Sequence, residues 1–349
     1  MFFASDNWAG AHPLIAESLL RSSGRYEIPY GEGEIDRRVE RRLSELFERD
    51  VRVFLVGTGT AANALSLASQ AKPASVIFCH PRAHVMHEGG GVELMTNGGK
   101  LVPVRTAGPG ASKIDPAALE TAVAPFLALD PSMGNMVAVT LSQATEAGTV
   151  YTVGEIAELC AIAHASGLKV HMDGARFSNA VAALGVTPAE MTWKAGIDIL
   201  SLGGTKNGCW CAEAVVFFDP DDARAVPVLR KRAGHLFSKS SFISAQFDRW
   251  LADDLWLSLA RHANQMGETL AAAVRASSSL RLAWETGSNQ LFVVMSDEKA
   301  AALRAAGATF HDWPAPDDFR ELGPDEKIRR LIACFATTAE DVDRLASYF

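Results

Sequence analysis

Short apolar runs alternate with helix-like stretches between residues 51 and 218. The runs are rich in Val, Ile and Phe and are bounded by Gly, Pro, His or Asp, a pattern typical of strands that are buried on both faces. Between them, Asp115 followed by Pro116 predicts a helix start with an N-cap and a first-turn proline. The predicted strands are Val51–Val56, Ser75–Cys79, Lys100–Arg105, Met136–Leu141, Leu168–Met172, Asp198–Leu202 and Ala214–Phe218, and the predicted helices include Thr60–Gln70, Pro116–Leu127 and Thr152–Ser166.

The alternation of strand and helix predicts an α/β fold with a mostly parallel seven-stranded sheet that is covered by helices. Near residue 240 the pattern changes to a long helix followed by short strands, which indicates a smaller α+β module. We therefore expect an N-terminal segment and large domain at residues 1–240 and a small C-terminal α+β domain at residues 241–349. The small domain is predicted from helical patterns at Ser240–Ser277 and Asp297–Ala306 and from strand-like runs at Gln290–Met295 and Leu331–Phe335.

Composition limits the kinds of protein that this chain can be. Its 349 residues are 48% apolar and 21% charged, which suits a large buried core and does not indicate disorder. The net charge of −8 disfavours nucleic acid as a partner. The N-terminus lacks a signal-peptide pattern, and no apolar run is long enough for a membrane span. Because the five cysteines are scattered, we expect reduced thiols and a cytoplasmic protein without a membrane partner.

The first predicted strand ends in a glycine-rich turn, at the edge of the sheet where ligands of open α/β folds bind. The turn is the segment Gly57–Asn63, with the sequence GTGTAAN. Its glycines let the backbone approach an anion, and the helix that follows offers free N–H groups. The segment matches neither the dinucleotide fingerprint nor the P-loop, so a nucleotide-binding oxidoreductase is disfavoured. Alone, it fits a phosphate site and an ordinary strand–helix turn equally well.

Histidines crowd the loop that follows the second predicted strand. His80, His84 and His87 all lie between Cys79 and Glu88. Their spacing matches no zinc pattern, so we expect no metal site here. The loop is then either a solvated segment or one that places an imidazole over a planar cofactor.

An acid and a lysine follow the fifth and sixth predicted strands. Asp173 ends a buried strand, where it needs a cationic partner, either Arg176 or a protonated ring nitrogen. Lys206 follows two glycines; most lysines are surface residues, but an amine beside a buried strand suits Schiff-base formation. Pyridoxal 5′-phosphate needs a lysine, a carboxylate for its ring nitrogen and an anion cradle. The three features together therefore predict a pyridoxal-phosphate enzyme.

Seven segments share the sequence patterns of one known family. They are Phe3–Asn7, Tyr30–Glu32, Gly57–Asn63, Ala83–Val85, Gln143–Glu146, His171–Ala180 and Gly203–Gly208. On these segments the chain resembles the threonine aldolase family over essentially its whole length, and most of all the bacterial low-specificity branch. The resemblance implies the large domain of fold-type I pyridoxal-phosphate enzymes together with a small C-terminal domain.

The resemblance also implies residues that bind the cofactor. Lys206 would carry pyridoxal 5′-phosphate as a Schiff base, and Asp173 would pair with its ring nitrogen. Gly59 and Thr60 would donate backbone N–H groups to the phosphate, with Thr58 close by. These assignments cover both the reactive end of the cofactor and its anionic end.

Other residues are implied for the ring face, the substrate and the subunit contact. His84 would stack on the cofactor ring near the substrate hydroxyl and is our first candidate for the base that takes the hydroxyl proton. Arg176 would contact the cofactor or the substrate carboxylate, Ser5 would hydrogen-bond that carboxylate, and Arg330 would bind it bidentately, unless the register is off by one position. Lys231 would reach the cofactor phosphate, from this subunit or from a neighbouring one.

The implied activity is the reversible cleavage of L-β-hydroxy-α-amino acids such as L-threonine, L-allo-threonine and phenylserine to glycine and an aldehyde. The substrate is then a small amino acid, and the resemblance implies a homodimer or homotetramer with the active site at the subunit interface. Two kinds of alternative stay open. One is another fold-type I reaction, such as β-elimination, transamination or condensation of glycine with a different aldehyde, and the other is cofactor binding without turnover.

Two positions depart from the family pattern. Relatives often carry a histidine shortly before the strand that leads to Gln143–Glu146, where it contacts the β-hydroxyl, but residues 129–135 contain none. Close relatives have an aspartate before the glutamate of the second-strand loop, where this chain has His87 before Glu88. The physiological substrate and the stereopreference therefore stay open.

Overall fold

A seven-stranded sheet organises the N-terminal two thirds of the chain. The computed structural model describes residues 1–104, 112–128, 134–316 and 319–349. The strands are β1 (Arg52–Val56), β2 (Ser75–Cys79), β3 (Lys100–Pro103), β4 (Asn135–Ser142), β5 (Lys169–Gly174), β6 (Ile199–Gly203) and β7 (Glu213–Phe217). Their order is β1-β7-β6-β5-β4-β2-β3; β7 is antiparallel to both of its neighbours, and the remaining pairs are parallel. The mostly parallel sheet predicted from the sequence is confirmed.

Helices connect these strands and supply much of the core. The helix between β4 and β5 begins with a capping box, in which the Thr152 hydroxyl accepts from the Glu155 N–H and the Glu155 carboxylate accepts from the Thr152 N–H. Its buried side, with Ile156 and Leu159, joins the main hydrophobic core. The helices of this part are α1 (Pro13–Ser23), α2 (Glu34–Leu46), α3 (Gly59–Ala68), α4 (Gly91–Met95), α5 (Pro116–Ala128), α6 (Val153–Ala165), α7 (Phe177–Leu184), α8 (Pro188–Met191) and α9 (Val226–Arg232).

The C-terminal third contains a second sheet with its own apolar core. Its strands are antiparallel, in the order β10-β11-β9-β8, with β8 at Arg281–Leu282, β9 at Gln290–Ser296, β10 at His311–Trp313 and β11 at Glu326–Ile332. The helices are α10 (Ser241–Leu251), α11 (Leu255–Ala276), α12 (Asp297–Ala305) and α13 (Ala339–Ala346). None of the helices in the described part of the chain has the length and apolarity that a membrane crossing requires.

Two predicted elements of this region were wrong in extent. The long helix predicted from Ser240 is two helices, because Asp253 and Asp254 adopt left-handed backbone angles, with φ of 56° and 52°. The strand predicted at Leu331–Phe335 begins earlier and ends earlier, since β11 pairs with β9 from Glu326 onward. The first half of β11 is charged, so no apolar run marks it as a strand in the sequence. Its register is set by pairing with the neighbouring strand β9.

The N-terminal segment packs on the C-terminal sheet. Phe3 is fully buried in the second core, its N–H donates to the Thr309 carbonyl oxygen at 3.0 Å, and its own carbonyl oxygen accepts from the Ile332 N–H at 2.8 Å. This contact fixes where the following residues, Ser5 and Asp6, lie. The division of the chain into domains at residue 240 stays a prediction, and the first residues contribute to the core on the other side of that division.

Candidate active site

A cavity of about 230 Å³ opens where the carboxyl ends of the central strands meet. Its walls include Thr58 and Thr60 from the first strand–helix turn, His84 from the second-strand loop, Asp173 from the end of β5 and Lys206 from the turn after β6. The parallel strands bring these side chains to the same edge of the sheet, where ligands of open α/β folds bind. Residues that are far apart in the sequence therefore form one site.

The N-terminus of α3 faces this cavity. Thr58 is the N-cap residue, and its Oγ1 accepts a hydrogen bond from the Ala61 N–H at 3.1 Å. The N–H groups of the first turn, those of Gly59 and Thr60, have no acceptor within the helix. Among the described residues, no atom lies within 4 Å of a Cβ built on Gly59, so its backbone is open to a ligand. Open N–H groups at a helix N-terminus favour an anion cradle over an ordinary turn.

Asp173 is buried and held by two hydrogen bonds. Its Oδ1 accepts from the Ala175 N–H and its Oδ2 from the Asn63 amide, each at 3.0 Å. The alternative in which Arg176 is its ion-pair partner is not what the structure shows, because the Arg176 guanidinium pairs with Asp6. A buried carboxylate that lines a cavity suits a cationic group of a ligand, such as a protonated ring nitrogen.

Lys206 reaches the same cavity from a short helical turn, Thr205–Asn207, that follows β6. The chain before it passes very close to the end of β5: a Cβ on Gly203 would lie only 2.8 Å from the Cα of Ala175. Glycine is required at that approach, because the neighbour is backbone and cannot turn aside. The close approach places the lysine and Asp173 at adjacent strand ends, as the sequence predicts.

An imidazole and a buried acid stand beside Asp173. The Glu88 carboxylate, with a side chain only 2% exposed, lies 3.8 Å from His84 Nδ1 and accepts a hydrogen bond from the Asn63 amide at 3.2 Å. Burial first, and then the Asp173 carboxylate, raise the pKa of the Glu88 carboxyl above its usual value. The Asn63 amide thus joins both acids, and the His84 side chain, 43% exposed, faces the opening.

Two arginines and two acids form a second charged centre. The Arg176 guanidinium donates from Nε and Nη2 to Asp6 at 2.8 and 3.0 Å, and both side chains are buried. Arg330 lies over the Trp313 ring, 4.9 Å from its centroid, and donates from Nη2 to the Ala4 carbonyl oxygen at 3.4 Å. Burial and the nearby Arg176 lower the pKa of the Arg330 guanidinium. The Glu146 carboxylate also lies near both guanidinium groups, so the charges of this centre balance, and it is the unpaired Nε of Arg330 that suits an anionic substrate group.

The neighbouring arginine points elsewhere. Arg329 is 1% exposed and forms ion pairs with Asp297 and Asp312. Because successive side chains of a strand face opposite sides, Arg329 and Arg330 cannot both face Arg176. The geometry therefore favours Arg330 over Arg329 as the residue that would bind the substrate carboxylate.

Four of the residues predicted for the site do not line the Lys206 cavity: Arg176 and Arg330 belong to the charged centre, and Ser5 and Lys231 lie elsewhere. The Ser5 hydroxyl accepts from the Asn7 N–H at 3.1 Å and lines a separate cavity of about 200 Å³ beside the N-terminal segment. Lys231 is exposed on α9. Asn7, by contrast, does line the lysine cavity. Of the stretch 129–135, in which a family histidine is missing, residues 129–133 lie outside the described part of the chain.

Sequence reasoning assigned no role to four polar residues of these two centres. Asn63 and Asp6 belong to segments that match the family but carried no assigned role, and Glu88 was noted only as a member of the histidine-rich loop. Glu213 is the fourth: burial raises the pKa of its carboxyl to about 7. The sequence did offer a signal for Glu213, because this acid stands directly before the apolar run of a predicted buried strand. Burying a charged side chain there costs free energy unless a partner compensates it.

Known proteins share both the sequence and the fold of this chain. A family model described as beta-eliminating lyase matches residues 3–298. Low specificity L-threonine aldolases of a Pseudomonas species and of Pseudomonas aeruginosa are each 39% identical over 312 residues, covering 89% of this chain and 89% of the relative. The structure of a Leishmania major threonine aldolase matches with a TM-score of 0.90 at 27% identity and covers 99% of this chain and 97% of that chain. The chain therefore belongs to the threonine aldolase family, within the beta-eliminating lyases.

Proposed function

We propose that this protein is a pyridoxal-phosphate-dependent aldolase that cleaves L-β-hydroxy-α-amino acids, including L-threonine, L-allo-threonine and phenylserine, reversibly to glycine and an aldehyde. The observation that carries the proposal is a single cavity that contains an amine, Lys206, a buried carboxylate, Asp173, and the open N-terminus of α3. The relatives at 39% identity are named low specificity L-threonine aldolases, which supports an aldolase assignment.

The residues of the cavity fit pyridoxal 5′-phosphate. Gly59 and Thr60 would bind the phosphate through their N–H groups, with Thr58 beside them, Asp173 would pair with the ring nitrogen, and Lys206 would bond to the aldehyde carbon. When bound, the cofactor supplies an electron-accepting ring that stabilises negative charge on the substrate α-carbon. Asp173 would favour a proton on the ring nitrogen, because a buried carboxylate is stabilised by a cation in contact with it.

The arginine centre would bind the substrate carboxylate. Arg330 has a buried Nε without a hydrogen-bond partner among the described residues, so this guanidinium has donors to offer. Arg176 is held in place by Asp6 and would contact the same carboxylate or the cofactor from the other side. Ser5, predicted to hydrogen-bond this carboxylate, lines a separate cavity, so its role needs a movement of the N-terminal segment. Clamping the carboxylate fixes rotation about the bonds of the α-carbon and so selects which of them breaks.

His84 would act as the base for the β-hydroxyl. Its imidazole faces the cavity, and imidazole is the side chain best suited to proton transfer near neutral pH. The Glu88 carboxyl lies beside Nδ1 and would hold the ring orientation while His84 takes the hydroxyl proton. Loss of that proton allows the bond between the α- and β-carbons to break and the aldehyde to leave.

We also propose that the protein works as a homodimer or homotetramer in the cytoplasm. Lys231 lies outside the cavity of its own chain and is exposed, so it would reach the phosphate of a neighbouring subunit. Exposed aromatic residues near the N-terminus offer apolar area for such a contact, namely Trp8, Tyr26 and Tyr30. The large domain at residues 1–240 and the small domain at 241–349 would each contribute residues to the site.

A second reaction, β-elimination, is favoured by one observation, the description of the matching family model. Elimination removes a proton from the α-carbon and a leaving group from the β-carbon, whereas aldol cleavage breaks the bond between these carbons. Both reactions would use Lys206 and Asp173, so the cavity alone does not distinguish them. The products do.

Product analysis tests the proposed function. The protein loaded with pyridoxal 5′-phosphate is offered L-threonine, L-allo-threonine and L-phenylserine, and we expect glycine and the matching aldehyde in equal amounts. Ammonia with 2-oxobutanoate from L-threonine would indicate elimination and overturn the proposal. Lys206→Ala should release no aldehyde, whereas Lys72→Ala, which changes an exposed lysine, should match the wild type.

Replacing the imidazole tests the base. His84→Asn should lower kcat for aldehyde release by roughly 10²- to 10⁴-fold, the usual contribution of a general base, with little change in cofactor affinity. His87→Asn, which changes an exposed histidine of the same loop, is the matched control and should leave kcat near the wild-type value. A His84→Asn enzyme that releases aldehyde at the wild-type rate would remove His84 from this role.

Changing the arginine head group tests carboxylate binding. Arg330→Lys keeps the charge but loses the planar pair of donors, so KM for L-threonine should rise about 10- to 100-fold. Arg320→Lys, at an exposed arginine, should leave KM unchanged. Steady-state kinetics give KM for both variants. An unaltered KM in Arg330→Lys would mean that the carboxylate binds elsewhere.

A further inference from the structure

Glu213 lies between the two strands that lead to the ends of the cavity. It is the first residue of β7 and pairs with Val56 of β1, directly before the glycine-rich turn, and with Gly203 of β6, just before Lys206. The residue is buried, and its side chain lines the same cavity as Thr60. An acid at this position stands next to both the anion cradle and the lysine.

Burial of Glu213 outweighs the contacts that stabilise a negative charge on it. Its Oε1 accepts a hydrogen bond from the Thr205 N–H at 3.3 Å, and the Thr205 side chain also hydrogen-bonds to the carboxyl. The titratable groups that face it are Lys206 from the turn after β6, Asp173 from β5, and Cys209 and Cys211 from the segment before β7. Burial raises the pKa of both thiols, which therefore stay neutral at neutral pH. Among these residues, Lys206 is the cation that favours an ionised Glu213, and the Asp173 carboxylate disfavours it.

This balance changes when an anion enters the cradle. A phosphate dianion brings negative charge into the cavity that Glu213 lines, and Lys206, the cation that favours the ionised carboxyl, is engaged by the cofactor. Both changes disfavour a carboxylate at Glu213 and favour its neutral acid. The pKa of Glu213, about 7 before the ligand enters, is close enough to physiological pH for the group to bind a proton as the ligand binds.

We infer that Glu213 takes up a proton from solvent when the cofactor phosphate binds, and then holds the phosphate end of the cavity as a neutral carboxylic acid that donates a hydrogen bond. The inference rests on the proposed function, because it needs a phosphate-bearing cofactor in this cavity. It makes Glu213 a cofactor-binding residue, and it couples cofactor affinity to pH. Glu88 and Asp173 share the Asn63 amide, and Glu88 also hydrogen-bonds to the Thr60 side chain, so Glu88 is a second acid beside the cradle, and the Glu213→Gln variant distinguishes the two.

Ligand affinity as a function of pH tests the inference. The probe is pyridoxine 5′-phosphate, which carries the phosphate but has no aldehyde and cannot bond to Lys206. Above pH 7, wild-type affinity should fall about tenfold per pH unit, since each binding event then takes up about one proton. Glu213→Gln, which is always neutral, should show a flat profile and bind about ten times more tightly than the wild type near pH 8. Glu120→Gln, at an exposed glutamate, should keep the wild-type slope.

Two further measurements separate phosphate recognition from a structural role. Pyridoxine, which lacks the phosphate, should bind with the same pH dependence to the wild type and to Glu213→Gln. Calorimetry of the wild type in buffers of different ionisation enthalpy should report uptake of about one proton per phosphate ligand at pH 8, and this needs no variant. No proton uptake, or parallel slopes for the wild type and Glu213→Gln, would overturn the inference. Failure of the wild type to bind pyridoxal 5′-phosphate at all would instead overturn the proposed function.

Discussion

The site depends on the close approach of the chain at the ends of β5 and β6. A Cβ on Gly174 would lie 2.6 Å from a carbonyl oxygen of β6, and one on Gly203 would lie 2.8 Å from the Cα of Ala175. The obstructing atoms are backbone atoms of a close-packed core and cannot turn aside, so only glycine fits at either position. This approach sets Asp173 and Lys206 at adjacent strand ends, and the anion cradle, the imidazole and the arginine centre are arranged around them.

The groups suited to a phosphate and the groups suited to a substrate carboxylate lie in different parts of the site. The groups suited to a phosphate are the backbone N–H groups at the N-terminus of α3, whereas the groups suited to a carboxylate are the guanidiniums of Arg176 and Arg330. The lysine cavity itself is rich in acids, with Asp173, Glu88 and Glu213 around one amine. A cofactor that brings a protonated ring nitrogen suits such a cavity, because its positive charge stabilises a buried carboxylate.

Local sequence patterns determined most of the fold and the central part of the site. Apolar runs located the seven strands within a few residues, and glycine-rich turns marked the cradle and the lysine. Contacts between distant segments were not predictable in this way: the Asp6–Arg176 ion pair joins residues of the N-terminal segment and of α7's start, and β11 owes its register to β9. The acid before the β7 apolar run was visible in the sequence, but the role proposed for Glu213 depends on strand pairing on both sides, which the local pattern does not contain.

Chemical mapping of the lysine that bonds to the cofactor tests the central claim most directly. Protein loaded with pyridoxal 5′-phosphate would be reduced with sodium borohydride, which makes the bond permanent, and then digested for mass spectrometry. We expect the mass of the reduced cofactor on the peptide that contains Lys206, and no added mass on that peptide in Lys206→Ala. Labelling of a different lysine at full occupancy, with Lys206 unmodified, would contradict the assignment of this cavity as the active site.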